Sequence, residues 1–225
     1  KSLAKHLWLK NFGKAVLFLL TLSLLLPMHA FSDSEANRLT NFPSQVAIDD
    51  IIHVPTGQKV QFSDLTHFFN CASVLYVAET HTNQAAHQVQ LKILKTYYEK
   101  FGNTIAIGME MFTRPYQPFL DQWVAGEIDV NKFLEETHWD SEWGYDYYLY
   151  KDILDFAREK KIPVIALNAP KAVVKMVSKN GLKGLSEEEK KQLPEIDRTD
   201  NFHRAYLERA IREHMVDRTA DLEKY

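Results

Sequence analysis

Three apolar, β-favouring segments alternate with helical patterns, and this alternation limits the fold more than any other feature. The segments are residues 73–78 (SVLYVA), 104–112 (TIAIGMEMF) and 162–170 (IPVIALNAP). Nearly continuous apolar strands joined by helices are typical of a parallel sheet that is covered on both faces. The sequence therefore predicts an α/β fold, with a parallel or mostly parallel sheet flanked by helices and with all three strands buried.

Shorter patterns lie on either side of this alternation. Residues 45–65 contain two alternating runs around a Pro-Thr-Gly turn signal, which predicts a small N-terminal β-hairpin. Ser186 and Glu189 are typical of a capping box, and a long helix is expected from about residue 200 through 218. We expect a single domain over residues 45–225 with a helical C-terminal accessory region. The final helical pattern has no terminating glycine or proline, so we expect the domain to continue beyond Tyr225.

The first thirty residues have the composition of a secretory signal peptide. Four lysines within residues 1–14 precede an apolar run at residues 15–26, and Pro27 and Ala30 suit a cleavage site. The run is shorter than the roughly twenty residues that a membrane-spanning helix needs, so a retained anchor is the weaker alternative. We predict a signal peptide over residues 1–30, a polar linker over 31–44, and a periplasmic or secreted mature protein.

Charge and cysteine content exclude some classes of protein. The formal net charge is -3, and removal of four lysines with residues 1–30 changes it to about -7. Binding to nucleic-acid backbones requires clustered basic residues, so no nucleic-acid partner is expected. Cys71 is the single cysteine, so it can form no intramolecular disulfide. It also lies far from the predicted cleavage site, so it carries no lipid anchor there.

Polar residues follow each predicted strand. Glu79 and His81 come after the first strand, Glu110 lies near the end of the second, and Asn168 near the end of the third. Ligand sites in such sheets form outside the carboxyl ends of the strands, and His87 on the next helix could face the same space. Carboxylates and imidazoles suit a zinc, iron or manganese site, and they also suit acid-base chemistry. The alternative is structural: Glu79 and His81 hydrogen-bond to each other and cap the helix.

An aromatic segment forms a second candidate site. Residues 139–150 contain two tryptophans and four tyrosines: Trp139, Trp143, Tyr145, Tyr147, Tyr148 and Tyr150. Such side chains suit a flat apolar ligand, and a tyrosine can bind haem iron, although an aromatic stripe is more often core. Tyr147 and Tyr150 share one helix face, and Tyr145 and Tyr148 share another. We predict that one pair is buried and that the other is accessible.

Three motifs together resemble one family. VLYVAETHTNQAAHQVQ, GMEMFTRPYQPFLDQWVAGEI and WGYDYYLYKDILDFAREKKIPVIALNAP, in this order and spacing, resemble the ChaN-type family of haem-binding, iron-regulated lipoproteins. That family lies in a superfamily with the Tiki metalloproteases and erythromycin-esterase-like proteins. The resemblance covers about residues 45–218. It implies an α/β domain that binds haem outside the cytoplasm, uses a tyrosine as iron ligand, and can form a homodimer that encloses haem. An outer-membrane haem receptor is the expected partner.

The resemblance also assigns residues. The acidic and histidine positions of the superfamily fall on Glu79, His81 and Glu110, which would be metal-binding or catalytic. The family's further histidine, asparagine, tryptophan and tyrosine positions fall on His87, Asn168, Trp143, Tyr147 and Tyr150. Tyr150 is the first choice for the iron ligand. Because no cysteine follows the signal peptide, the lipid anchor of the family is not carried over.

Two functions from different classes follow. The leading hypothesis is an extracytoplasmic haem-binding protein for haem and iron uptake. The alternative is a metal-dependent hydrolase that uses Glu79, His81 and Glu110 with a divalent zinc, manganese or iron ion. A third interpretation is a binding module for another ligand. A hemin titration separates the first hypothesis from the other two.

Overall fold

A computed structural model of the protein describes residues 14–18, 45–69, 72–194 and 199–214. The strands in this part of the chain are β1 (Lys14–Phe18), β2 (Ile51–His53), β3 (Gln58–Val60), β4 (Val74–Tyr76), β5 (Ile105–Thr113) and β6 (Val164–Asn168). The α-helices are α1 (Phe62–Phe69), α2 (Gln84–Phe101), α3 (Gln117–Ala125), α4 (Val130–Glu136), α5 (Trp139–Glu142), α6 (Lys151–Lys160), α7 (Lys171–Asn180), α8 (Glu187–Lys190) and α9 (Asn201–His214). Short 3-10 helices occupy Gly102–Thr104, Arg114–Tyr116, Tyr147–Leu149 and Leu182–Gly184.

Two sheets are formed by the described strands. The main sheet has the strand order β4-β1-β5-β6, and β1 runs parallel to β4 with Ala15 opposite Val74. Strands β2 and β3 form an antiparallel hairpin in which Ile51 lies opposite Val60. The predicted α/β class and the N-terminal hairpin are therefore confirmed.

The chain divides into two compact units. The first comprises residues 1–107 and 146–163, and the second comprises 108–145 and 164–225, so that β5 begins in the first unit and ends in the second. In the first unit, α2 packs against α6, and the rings of Tyr98 and Phe156 meet edge to face at 5.7 Å. In the second unit, β6 packs against α3. The single domain expected over residues 45–225 stays a prediction.

The first predicted strand is shorter and more exposed than expected. Val74 and Tyr76 of β4 are 41% and 61% exposed. Alternate residues of a strand point to the same face, and the described residues leave this face open to solvent. The prediction that all three strands are buried is therefore wrong for β4. It is correct for β5, which is buried at every position except Glu110.

Helix α1 was not predicted. The second run of the hairpin was expected to continue to residue 65, but β3 ends at Val60 and α1 begins at Phe62. The Asp64 carboxylate accepts a hydrogen bond from the backbone N–H of Gln61 at 2.7 Å. An acid in the first helical turn satisfies a backbone donor and interacts favourably with the helix dipole, so this short segment favours a helix.

Each unit contains its own set of buried apolar residues. The core of the first unit includes Leu94, Tyr97, Ile105, Ile107, Ile153, Leu154 and Ile162. The core of the second unit is aromatic and includes Met109, Phe112, Leu120, Trp123, Phe133 and Trp139. The Phe112 ring lies 5.6 Å from Phe133 and 5.5 Å from Trp139. Pairs of this kind contribute about 0.5–1.5 kcal/mol each beyond area burial, so they hold α4 and α5 against β5.

The N-terminal predictions lie mostly outside the described residues. Residues 14–18 form β1, and the rest of the predicted signal peptide, together with the linker over 31–44, falls outside the described part. The signal peptide and linker stay predictions. None of the helices in the described ranges combines the length and apolar character needed to cross a membrane.

Candidate functional site

A hydrogen-bonded cluster in the first unit contains the polar residues that were predicted to follow the first strand. We call it the Glu79 cluster, and its members are Glu79, His81, His87, Gln90 and Tyr150. Asn83 ends the loop after β4 and caps α2, because its side chain accepts a hydrogen bond from the N–H of Ala86 at 3.2 Å. His87 and Gln90 are three residues apart on α2 and therefore lie on one face of it.

The Glu79 carboxylate lies at the centre of the cluster and is only 3% exposed. Its Oε1 atom accepts hydrogen bonds from His81 Nδ1 at 2.8 Å and from the Tyr150 hydroxyl at 3.1 Å. Its Oε2 atom is buried and has no hydrogen-bond partner among the described residues. The His87 Nε2 atom lies 3.7 Å from Oε2. Burial of a carboxylate is costly unless its oxygens have hydrogen-bond or charge partners, so the contacts of His87 matter for this cluster.

Both ring nitrogens of His87 face hydrogen-bond acceptors. Nδ1 lies 3.1 Å from Gln90 Oε1, and Nε2 lies 3.0 Å from the carbonyl oxygen of His81. The Gln90 amide is oriented by its own N–H, which donates to the Val77 carbonyl at 3.1 Å, so its oxygen points to His87. These contacts fix the orientation of the His87 ring beside the Glu79 carboxylate.

The two parts of the structural alternative have different outcomes. The hydrogen bond between Glu79 and His81 is confirmed. The expectation that these two residues cap the helix is wrong, because Asn83 is the N-cap of α2. Asn83 occupies the N-cap position because its short side chain, on an extended backbone, reaches the N–H groups of the first turn.

The aromatic segment contains one buried and one accessible pair of tyrosines, as predicted. Tyr150 and Tyr147 are buried, whereas Tyr148 is 75% exposed and Tyr145 is 37% exposed. The Tyr150 ring meets the His87 ring edge to face at 4.6 Å. The Asp146 carboxylate accepts a hydrogen bond from the N–H of Tyr148 at 2.9 Å and so fixes the start of the 3-10 helix Tyr147–Leu149.

Burial raises the pKa of the Tyr147 phenol well above its ordinary value, and the negative charge of Asp155 adds to this effect while Arg158 opposes it. A phenol with a raised pKa loses its proton less readily. A tyrosine that binds ferric haem does so as phenolate. In the absence of a ligand, Tyr147 therefore keeps its proton to a higher pH than an exposed tyrosine does.

A cavity of about 650 Å³ lies in the second unit at the ends of β5 and β6, and we call it the rim cavity. Glu110, Trp143 and Asn168 line it, as do residues of α7. The side-chain N–H of Asn168 donates to the Glu110 carbonyl at 2.5 Å, which joins the ends of β5 and β6. The Trp143 ring lies 5.5 Å from that of Tyr145.

The predicted site residues thus fall into two groups. Glu79, His81, His87, Tyr147 and Tyr150 belong to the first unit, and Glu110, Trp143 and Asn168 belong to the second. Within the described ranges, no three His, Cys, Asp or Glu side chains are placed to hold a metal ion. The alternative with a divalent ion held by Glu79, His81 and Glu110 therefore receives no support from the described residues.

Several residues of these sites were not anticipated. Gln90 fixes the orientation of the His87 ring. The only indication of this in the sequence is the three-residue spacing between the two residues. Lys171, Lys175 and Lys179 line the rim cavity from α7. Their four-residue spacing places all three on one helix face, but this spacing is common on exposed helices and does not by itself indicate a site.

A match to a family sequence model shows which family the chain belongs to. The sequence model of the family described as "Haem-binding uptake, Tiki superfamily, ChaN" matches residues 67–224, which is more than half of the chain. The chain belongs to this family. The resemblance inferred from the three motifs is confirmed, and with it the assignment of the protein to a haem-binding family.

A solved structure shows the ChaN fold in a relative. The structure described as "Cofacial heme binding to ChaN of Campylobacter jejuni" aligns with a TM-score of 0.58 and 16% identity, over 79% of this chain and 68% of that chain. At this identity the similarity establishes the fold and does not by itself transfer a ligand. No curated protein sequence matches the chain.

Proposed function

We propose that the protein binds haem outside the cytoplasm and takes part in haem and iron uptake. The observation that carries this proposal is the match to a haem-binding uptake family over residues 67–224. The signal peptide predicted over residues 1–30 supports the location in the periplasm or outside the cell. N-terminal sequencing of the exported protein tests it, and we expect a mature chain that begins at Phe31 and therefore lacks β1.

A tyrosine of the aromatic segment is the proposed iron ligand. Such a ligand needs a hydroxyl that reaches the iron and can ionise. The Tyr150 hydroxyl is buried and donates to the Glu79 carboxylate, a bond that would have to break before iron could bind. Tyr148 is 75% exposed, and no such rearrangement is needed there. We therefore propose Tyr148 as the iron ligand, and Tyr150, the choice from the resemblance, is the alternative that the variants below distinguish from it.

The other family positions have different proposed roles. His87 is buried against Glu79, so we propose that it orients the cluster rather than contacting haem. Trp143 and Asn168 line the rim cavity and are available to a ligand there. We propose no catalytic role for Glu79, His81 and Glu110, because the metal-dependent hydrolase is not favoured.

A hemin titration of the full chain, followed by absorbance, tests the function. We expect saturable binding with the spectrum of ferric haem bound to a phenolate. Tyr148→Phe should change that spectrum and weaken binding about tenfold or more, equivalent to about 1.4 kcal/mol. Tyr150→Phe removes a hydroxyl of the same type and is the matched control, so it should retain the wild-type spectrum.

Other outcomes would change the proposal in defined ways. If Tyr150→Phe loses the phenolate spectrum and Tyr148→Phe keeps it, the ligand is Tyr150. If both variants keep it, neither tyrosine binds iron. If the wild-type chain shows no saturable binding, the haem-binding proposal itself fails.

The proposed partners are a second copy of the chain and an outer-membrane haem receptor. The relative from Campylobacter jejuni is described as binding haem cofacially, so we propose a homodimer that encloses two haem groups face to face. Light scattering should then show a doubling of the mass when hemin is added. A mass that is independent of hemin would count against enclosure between subunits.

A further inference from the structure

We infer that the rim cavity binds the carboxylate edge of haem, with Lys175 and Lys179 of α7 contacting its two propionates. The inference rests on the haem-binding function proposed above, not on which tyrosine binds the iron, and it names the part of the ligand that this cavity recognises. All of the residues concerned belong to the second unit.

Helix α7 presents a row of cations to the cavity. Lys171, Lys175 and Lys179 are four residues apart, so each step along the helix axis is about 6 Å and the three side chains share one face. Val174 lies on the same side, lines the cavity and is 55% exposed, whereas the neighbouring Val173 is buried in the core. The cavity wall formed by α7 is therefore cationic with an apolar residue between the charges.

Two of these lysines are available for a ligand. Lys171 Nζ donates to the Ser141 carbonyl at 2.6 Å and lies 3.7 Å from Glu142 Oε2. No acidic side chain among the described residues forms an ion pair with Lys175 or Lys179. Two cations one helical turn apart, neither in an ion pair with a described residue, match a ligand with two carboxylates on one edge, and the propionates of haem lie on adjacent pyrrole rings of one edge.

The rest of the lining suits an apolar ring and sets its direction. Met111 and Trp143 line the cavity, and a tryptophan side chain offers a flat apolar surface to a planar ligand. A volume of about 650 Å³ is typical of a site for a ligand of this size. Glu110 and Glu142 line the cavity as well, and their carboxylates would repel the propionates. The propionates are therefore directed to α7.

Hemin and its dimethyl ester, titrated in the same detergent, test the inference on the full chain. The ester retains the ring and iron but carries no propionate charge. The double variant Lys175→Gln/Lys179→Gln removes both cations and retains residues that favour a helix. It should weaken hemin binding about three- to tenfold, as expected for two exposed charge pairs, and leave binding of the ester unchanged. Lys183→Gln is the matched control, because Lys183 is exposed in the same unit but does not line the cavity.

Each other outcome counts against one specific statement. If the wild-type chain binds hemin and the double variant binds it equally well, the propionate contact is wrong and haem binding stands. If the double variant loses hemin and ester to the same extent, the lysines act on the fold and the inference is again wrong. If the wild-type chain binds neither ligand, the proposed function fails as well.

Discussion

The Glu79 cluster of the first unit and the rim cavity of the second unit both contain residues that the sequence marked as functional, but their polar groups contact different things. In the cluster, Glu79 accepts hydrogen bonds from His81 and Tyr150, and His87 is surrounded by acceptors. In the rim cavity, Lys175 and Lys179 line an open space of about 650 Å³. The first region is occupied by its own side chains, and the second has room for a ligand.

This difference separates structural from ligand-binding polarity. Removing one partner from a buried hydrogen-bonded cluster leaves a polar group unsatisfied, which destabilises the fold strongly. Exposed lysines around a cavity contribute little to folding, but they contribute to the affinity for an anion. Variants in the cluster should therefore change stability, and variants in the cavity should change binding.

The largest effect is expected from Glu79→Gln. The amide is a weaker acceptor for His81 and Tyr150 than the carboxylate, and it buries an NH2 group without an acceptor, which together cost about 3–5 kcal/mol. Urea unfolding followed by circular dichroism measures the loss. Glu99→Gln, at an exposed position of α2, is the control and should change the free energy of unfolding by less than about 0.5 kcal/mol.

A double variant distinguishes an interaction between Glu79 and His87 from simple loss of packing. Glu79→Gln/His87→Gln removes both side chains of the 3.7 Å pair, so it should be less destabilised than the sum of the two single variants. Additive effects would show that the two side chains do not interact. A wild-type stability in Glu79→Gln, with hemin binding lost, would assign the cluster to the ligand site and end the contrast with the rim cavity.

Tyr150→Phe should have the second-largest effect on stability. It deletes the hydroxyl that donates to Glu79 Oε1 at 3.1 Å, and a hydrogen bond to a charged group contributes about 1.5–3 kcal/mol. Tyr148→Phe alters an exposed side chain and should stay within about 0.5 kcal/mol of wild type. Tyr150→Phe should thus lower stability and keep the hemin spectrum, whereas Tyr148→Phe should keep stability and change the spectrum. Equal destabilisation by both would contradict the assignment of Tyr150 to the cluster.

The order of elements was predictable from the sequence because it depends on local patterns. Residues 104–112 and 162–170 are continuous apolar segments, and β5 and β6 lie within or next to them. The spacing of the four tyrosines predicted correctly that one pair is buried. The exposure of β4 was not predictable, because the elements that cover the face of a strand come from other parts of the chain.

The candidate sites were predictable as residue types but not as contacts. The motif around Glu79 and His81 indicated a polar group after the first strand. It gave no sign that Gln90 would fix the orientation of the His87 ring. That arrangement depends on the Val77 carbonyl, thirteen residues away from Gln90 in the sequence, which orients the amide. The lysines of α7 were missed because charged residues at four-residue spacing are usual on any exposed helix face.

Alkaline pH should lower stability through Tyr147, and more gradually than the variants above. Burial raises the pKa of this phenol in the folded state, so the unfolded chain loses the proton first, at about pH 10. Stability is then fully present below about pH 10 and falls as the pH rises further, by less than about 1 kcal/mol per pH unit. Urea unfolding between pH 9 and 11 should show a weaker decline in Tyr147→Phe than in wild type. The exposed Tyr148 supplies the matched variant, Tyr148→Phe, and an equal slope in wild type and Tyr147→Phe would contradict the prediction.

The smallest effect is expected from salt on hemin binding, and it tests the open character of the rim cavity. Exposed charges interact across solvent, and raising the salt concentration from about 0.05 to 0.5 M shortens the screening length to less than 10 Å. Hemin affinity of the wild-type chain should therefore fall about two- to threefold, because contacts of Lys175 and Lys179 with propionates are screened. The variant Lys175→Gln/Lys179→Gln lacks these contacts and should show a smaller change, measured by the same absorbance titration. A salt effect of equal size in both proteins would place the attraction for the propionates elsewhere on the chain. The rim cavity would then still be more open than the Glu79 cluster, but it would not be the site that attracts the anion.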